Sequence, residues 1–393
     1  MHHLAIVVSH PIQYHAPWYR ALAGKLDLHV YYAHKANAAD QAAAGFGVPF
    51  EWDIPLLEGY PFSWLGNQSR HPGLDHFFGC DTPGVKGIIQ KENFDAVMVN
   101  GWNLLCYWQG VSAARNCGIP VLVRGDSQLQ TPRGLALRIA KKIGYPLMLK
   151  KFDAFLSVGR RHSEYLKHYG VSHDKIFSVP HCVDNEFFKA SADQARRASG
   201  GPRGCFGLPG NGVVFLFAGK FIPQKRPLDF LWALDSLQQW KINAHGLLIG
   251  DGPMRPMLEK HIQEHKTSCT LGGFLNQREI GRAYAASDAL VLPSESETWG
   301  LVVNEAMACG VPAVVSDQAG CAPDLIVDGQ TGFTHPCGKV NELAQQMGRI
   351  AQDHDLLARL SRGASEHISA FSIEAACQGL LAALDFAIRN KNL

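Results

Sequence analysis

Short apolar runs alternate with longer, helix-patterned segments along most of this chain, and the alternation stops once and starts again. The runs 4–8, 28–32, 96–99, 120–123, 154–158 and 176–179 are apolar along most of their length. Strands covered on both faces have that character, and a parallel sheet flanked by helices covers both faces. Segments 17–24, 104–117 and 162–170 read as the helices between them. From 188 to 212 the pattern lapses, and 190–204, rich in Ala, Arg, Ser and Gly, reads as a linker or a lone polar helix. The alternation resumes at 213–218, 246–249, 270–271, 289–292 and 313–315, so a second doubly wound α/β domain is expected. A length of 393 residues accommodates two such cores. Near the end, Leu380, Leu381, Leu384 and Ile388 lie on one stripe of a last helix.

Composition removes several classes. With 46% hydrophobic and 18% charged residues the chain is globular, and a formal charge of +2 does not suit a partner made of nucleic acid. The ten cysteines form no C-x-x-C pair and read as reduced thiols of a cytoplasmic protein. The run 4–8 is short and is followed by Ser9-His10-Pro11, so it reads as a strand and not as a leader. No uninterrupted apolar run approaches the roughly 18 residues that span a bilayer, so membrane contact is expected to be peripheral.

The most informative stretch is residues 293–312, PSESETWGLVVNEAMACGVP. It leaves a strand, turns at Gly300 and opens a helix. Glu297 stands at the turn and Glu305 about two helical turns on. Free backbone N–H groups at Gly300, Leu301 and Val302 suit a diphosphate, and a carboxylate nearby suits two vicinal ribose hydroxyls. Two glutamates near a helix start also simply complement the macrodipole. The whole stretch, however, resembles the E-x7-E signature of the retaining glycosyltransferase family 4. Residues 217–225, FAGKFIPQK, resemble that family's G-R-x-x-x-x-K stretch, with Lys220 where arginine is usual and Lys225 matching. Residues 249–253 (IGDGP), 271–275 (LGGFL), 319–324 with 328–332, and 179–188 resemble further family segments.

The resemblance implies a GT-B fold: two Rossmann-like domains facing across a cleft. The first, 1–190, would bind the acceptor and the second, 191–374, the nucleotide-sugar donor. The helix in 375–393 would return to the first. It also implies roles. Lys220 and Lys225 would hold the leaving diphosphate, Glu297 the sugar hydroxyls, and Glu305 the ribose. Gly219, Phe274, Thr298, Trp299, Gly300, Leu301 and Val302 would line the donor.

The first half departs from the family pattern. After the first strand stands Ser9-His10-Pro11-Ile12-Gln13-Tyr14-His15 in place of a Gly-rich loop. His10, Gln13, Tyr14 and His15 are therefore candidates for substrate contact, against a plain Pro11 turn. The family's histidine near the transferred sugar is missing. Arg124 and Asp126 occupy that region, and Asp126 is the candidate replacement. Of the aromatics Trp52, Tyr60, Phe62, Trp64, Phe77, Phe78, Trp102, Tyr107 and Trp108, most are expected in the core and Trp102 in the cleft. Segment 133–151, with Arg138, Lys141, Lys142, Lys150 and Lys151 among apolar residues, is patterned for peripheral contact with anionic lipid at the cytoplasmic membrane face; a solvated helix face accounts for the same charges. The only D-x-D, Asp353-His354-Asp355, lies far from the donor motifs.

The expected function is transfer of a sugar from a nucleotide diphosphate, UDP favoured and GDP next, with retained configuration. Neither metal nor cofactor is expected. The acceptor would be a glycan, a lipid-linked sugar or a small molecule. A nucleotide-sugar-binding protein without turnover and a GT-B epimerase are the alternatives.

Overall fold

The computed structural model describes residues 2–35, 47–130 and 134–391. The chain divides into two compact units. Met1–Ala36, Pro55–His181 and Ile373–Leu393 make the first; Asn37–Ile54 and Cys182–Ser372 make the second.

In the first unit, strands β1 (His3–Val8), β2 (Asp27–Tyr32), β3 (Phe62–Trp64), β4 (Ala96–Val99), β5 (Val121–Gly125), β6 (Ala154–Ser157) and β7 (Ile176–Ser178) form one sheet. Its order is β3-β2-β1-β4-β5-β6-β7, and every pairing is parallel. Leu4 of β1 pairs with Leu28 on one side and Ala96 on the other, so the strand order reverses between β1 and β4. The carboxyl ends diverge there, and ligands of open α/β sheets bind at that point. Strand β3 escapes sequence reading because Phe-Ser-Trp is too short for a periodic signal. At this edge Trp64 is 39% exposed, and Phe77 and Phe78 in the next turn are 39% and 65% exposed. These three belong to the surface and not to the expected core.

The last helix, Ile373–Lys391, belongs to the first unit. Its Ala376, Cys377, Leu380, Ala383, Leu384 and Ala387 are buried, against β6, β7 and the helix His15–Ala23. Gly379 permits the approach, since a Cβ there would lie 1.9 Å from the Ser178 carbonyl oxygen. The stretch 354–391 contains an 18-residue window of mean hydropathy 1.4. It is broken between the helices His354–His367 and Ile373–Lys391, however, and the second of these is core. The Asp353 carboxylate accepts from the Leu356 amide at 2.8 Å and caps the first of the two helices.

The second sheet contains β8 (Val213–Ala218), β9 (Ala244–Ile249), β10 (Cys269–Gly273), β11 (Ala289–Leu292), β12 (Ala313–Ser316) and β13 (Gly332–His335), in the order β10-β9-β8-β11-β12-β13. It too is parallel, and its order reverses between β8 and β11.

The units divide at 181/182 and 372/373, not at 190/191 and 374/375. The reason is the helix Asn185–Arg197, which begins where the Asp184 carboxylate accepts from the Phe187 amide at 3.0 Å. It packs on the helices Ile280–Ala286 and Leu301–Ala308, burying Phe188, Ala192 and Ala195. Beyond Phe188 its apolar stripe is made of small residues, which is why 190–204 reads as a linker or a lone polar helix in sequence. Residues 47–54 also join the second unit. The Phe50 ring lies 4.6 Å from that of Phe274. The Asn276 side-chain amide donates to the Glu51 carbonyl at 2.7 Å, and the Arg278 amide to the Asp53 carboxylate at 3.1 Å.

Candidate functional site

The loops at the carboxyl ends of β8 and β11 leave the second sheet on either side of its reversal point. Gly219 follows β8. Its amide donates to the Ile249 carbonyl at 3.0 Å, and the Phe221 amide donates to Asp251 at 2.8 Å. Gly250 then donates to Gly273 at 2.8 Å. Three glycine-bearing loops thus lie edge to edge, and a Cβ on Gly250 would meet the Gly219 carbonyl oxygen at 1.9 Å.

This fixes the start of the loop that carries Lys220 and Lys225. The Lys225 side chain is 21% exposed and its ammonium pairs with the Glu297 carboxylate, itself 15% exposed. Burial and the neighbouring Lys220 depress the Lys225 ammonium to about 8. The Glu297 contact favours the charged form, and at neutral pH Lys225 is an ammonium. Burial also lowers Lys220. Lys225 therefore has a partner within the protein itself.

After β11 the loop 297–300 is pinned to 319–321. Gly320 donates to the Glu297 carbonyl at 3.0 Å and Cys321 to that of Trp299 at 2.9 Å. Gly300 has φ 106°, a conformation that side chains with a Cβ rarely adopt. It caps the helix Leu301–Ala308. Val303 donates back to Gly300 at 2.9 Å, so the Leu301 and Val302 amides have no acceptor within the helix, as its first amides must. The Trp299 ring is buried, and its indole N–H donates to Asn304 Oδ1 at 2.8 Å. Of the residues assigned to the donor, Trp299 therefore offers backbone only. Thr298 is exposed, and Phe274 is half-buried against Phe50.

Glu305 lies on the same helix. The Tyr284 hydroxyl donates to it at 2.5 Å, and burial raises its carboxyl to about 7, partly offset by that bond. In this state it exchanges protons near neutrality, a feature common at functional sites.

In the first unit the residues at the carboxyl ends of β1 and β5 converge on Arg124, which is buried. Its guanidinium donates to His15 Nε2 at 3.2 Å and to His181 Nδ1 at 3.3 Å, and lies 5.1 Å from the centre of the Trp18 ring. A guanidinium only donates, so both nitrogens accept and the protons sit on His15 Nδ1 and His181 Nε2. Burial, followed by Arg124, holds both imidazoles well below their ordinary range. Turning the Asn100 amide over would set its unpaired oxygen toward His15 Nδ1 (3.5 Å) and the Tyr19 hydroxyl (3.1 Å). Buried His162 lies beside Gly125, depressed to about 3 by burial and then Arg124, with no hydrogen-bond partner for either ring nitrogen among the described residues. Burial pushes the Tyr14 hydroxyl up to about 12, with Arg124 and Asp126 acting on it in opposite directions.

His10, held to about 4 by burial and then His34, accepts from or donates to the Ser9 hydroxyl at 3.0 Å. Gln13 is half-buried and Asp126 exposed. Trp102 packs against the first unit's core, 6.3 Å from Phe152. His162 and His181 were not singled out from sequence. His181 lies in the stretch 179–188 that resembles a family segment, and that was the available signal.

Among the described residues one group has the composition to hold a metal ion: Asp235, His261 and His265, with ligand atoms within 4.8 Å of one another. It joins the helices Pro227–Gln239 and Arg255–His265 and includes none of the residues above.

Residues 204–367 match the family model for Glycosyl transferases group 1. A D-inositol 3-phosphate glycosyltransferase of Streptomyces bingchenggensis (strain BCW-1) is 31% identical over 220 residues, 53% of this chain and 47% of that protein. Sulfoquinovosyl transferase SQD2 of Arabidopsis thaliana is 38% identical over 131 residues, 33% of this chain and 25% of that protein. The chain thus spans about half or less of these curated relatives. A glycosyltransferase from Rickettsia africae ESF-5 superimposes with a TM-score of 0.77 at 17% identity, covering 99% of both chains. Anabaena HepE in complex with UDP gives 0.74 at 17% identity, covering 98% of this chain and 100% of that one. These likenesses establish the fold, an α/β architecture of GT-B type with two parallel Rossmann-like sheets.

Proposed function

We propose that the chain is a retaining, family 4-type glycosyltransferase. It would move a hexosyl group from a nucleotide diphosphate, UDP before GDP, to an acceptor hydroxyl. One observation carries the reading. Lys225, paired with Glu297, and the open amides of Leu301 and Val302 come from the two strands that flank the reversal of the second sheet, with Glu305 on the same helix. Cations, open amides and a carboxylate at a switch point suit a nucleoside diphosphate. The group 1 match over this unit and the UDP complex of a neighbour of like fold support it.

In the proposed reaction the bond between the anomeric carbon and the diphosphate oxygen breaks, and its electron pair stays with the diphosphate. Lys220, Lys225 and the amides of Leu301 and Val302 stabilise that charge with donors already in place, usually the largest catalytic effect. Glu297 orients the sugar hydroxyls. The acceptor oxygen bonds the anomeric carbon from the same face and passes its proton to a leaving phosphate oxygen. Glu305 holds the ribose. Asp126 and the Arg124 group stand on the acceptor side of the scheme.

A panel of nucleotide sugars, read by nucleotide release and by the anomeric configuration of the product, tests the proposal. Because the protein supplies its own cations, turnover should persist in EDTA. Loss in EDTA with recovery on adding Mg²⁺ would overturn the metal-independent scheme, and binding of every donor without turnover or hydrolysis would overturn catalysis itself.

A further inference from the structure

The helix Leu135–Leu149 is built the wrong way round for water. Leu149 is its only fully buried residue, while Leu135, Ile139, Ile143 and Leu147 are 71%, 53%, 70% and 65% exposed. Spaced four apart, they form one row along the outer side. The inner side packs on the first unit's core through Tyr145, Met148 and Leu149, and there the Lys141 ammonium lies 4.6 Å from the centre of the Tyr145 ring and donates to the Tyr165 hydroxyl at 3.4 Å. Four aligned apolar side chains in water are costly, and contiguous patches of this kind mark contact surfaces.

The charges beside the row identify what it contacts. Arg138, Lys142, Lys150 and Lys151 are exposed, and 134–151 contains no Asp or Glu. A second copy of this chain, meeting the row across a two-fold axis, would set cation against cation. An anionic lipid surface offers acyl chains to the row and phosphates to the cations at once.

We propose that the helix Leu135–Leu149 lies in the interface of an anionic lipid bilayer, with the row Leu135, Ile139, Ile143 and Leu147 in the acyl boundary and the flanking cations on lipid phosphates. Contact of this kind holds the protein at the membrane without a spanning segment. It does not depend on the transfer reaction.

Co-sedimentation of the full chain with phosphatidylcholine vesicles, with and without phosphatidylglycerol, tests it. Binding should require phosphatidylglycerol and weaken as salt rises. Lys142→Gln should lower partitioning about fivefold, the factor equal to the roughly 1 kcal/mol that one cation contributes near an anionic surface. Changing all four row residues to Gln should lower it by roughly tenfold or more without lowering the melting temperature. If that variant fails to fold, Ile143→Gln alone carries the test, with a smaller loss expected. The proposal is overturned if anionic vesicles do not bind, if neutral vesicles bind as well, or if the Gln variants bind like the parent. It is also overturned if the parent is a dimer that the row substitutions dissociate. Vesicle binding is read without donor, so failure of the transferase reading leaves this result standing, and the reverse holds too.

Discussion

Glu305 and Lys225 titrate toward each other, with a carboxyl raised to about 7 and an ammonium lowered to about 8. A protonated Glu305 cannot accept two ribose hydroxyls, so nucleotide affinity should rise with pH through about 7. It should fall again as Lys225 loses its proton through about 8 and above. Calorimetry with a nucleoside diphosphate across that range should therefore trace a narrow bell. Glu305→Gln should remove the acid limb and weaken binding by about 1.5–3 kcal/mol, the worth of charged hydrogen bonds. An unchanged, still pH-dependent affinity would show that the ribose is held elsewhere. Lys225→Ala should lower kcat/KM roughly 100-fold or more. Because it strands the Glu297 carboxylate, it should also cost about 1–3 kcal/mol of stability. Adding Glu297→Gln should return the melting temperature but not the activity. Recovery of activity in the double variant would make the lysine structural. At this scale the two glutamates and Lys225 could be singled out because each lies in a short contiguous stretch, 293–312 and 217–225, whereas the pairing of Glu297 with Lys225 could not. In the Arg124 group His15 and Arg124 were candidates from sequence, but His162, His181 and the grouping itself were not legible: the four come from separate segments, and only the fold brings them together.

Between residue and molecule stands the helix Leu301–Ala308, whose open amides depend on one backbone angle. Gly300 has φ 106°, and a Cβ there would meet Leu292 Cδ2 at 2.8 Å. Gly300→Ala should lower stability by about 1–3 kcal/mol. It should also weaken nucleotide binding more than Ala substitution at an exposed loop glycine without a positive φ, such as Gly210, a difference to be read from paired melts and titrations. Equal effects at the two positions would mean the turn does not aim the amides. Elements were legible where the apolar signal was dense. Strands β4, β8 and β11 fall where their runs stand in the sequence. Strand β13, Gly-Phe-Thr-His, carries one large apolar residue and was not recognised. The helix Asn185–Arg197 was legible only as a linker or a lone polar helix over 190–204, because Ala192 and Ala195 are inconspicuous beside leucine.

For the whole molecule, two sheets followed from the interrupted alternation, and the return of the last helix followed from family resemblance. The excursion of residues 47–54 into the second unit did not, since it depends on single contacts such as Phe50 with Phe274. The second unit is otherwise one continuous stretch. A fragment covering 182–372 should therefore fold and bind a nucleoside diphosphate within about tenfold of the full chain, the difference reflecting the lost Phe50 cover, worth up to about 1.4 kcal/mol. A fragment that folds but does not bind would place essential donor contacts in the first unit.

The first unit, by contrast, is written in pieces, and its final piece is the helix Ile373–Lys391. During synthesis the first unit must wait, its sheet uncovered along β6 and β7, until the whole of the second unit's stretch 182–372 and the helix Ile373–Lys391 have been made. The half made second is then free to fold before the half made first is finished. A chain released early would also carry an incomplete first unit, marked for disposal by the apolar surface it cannot hide.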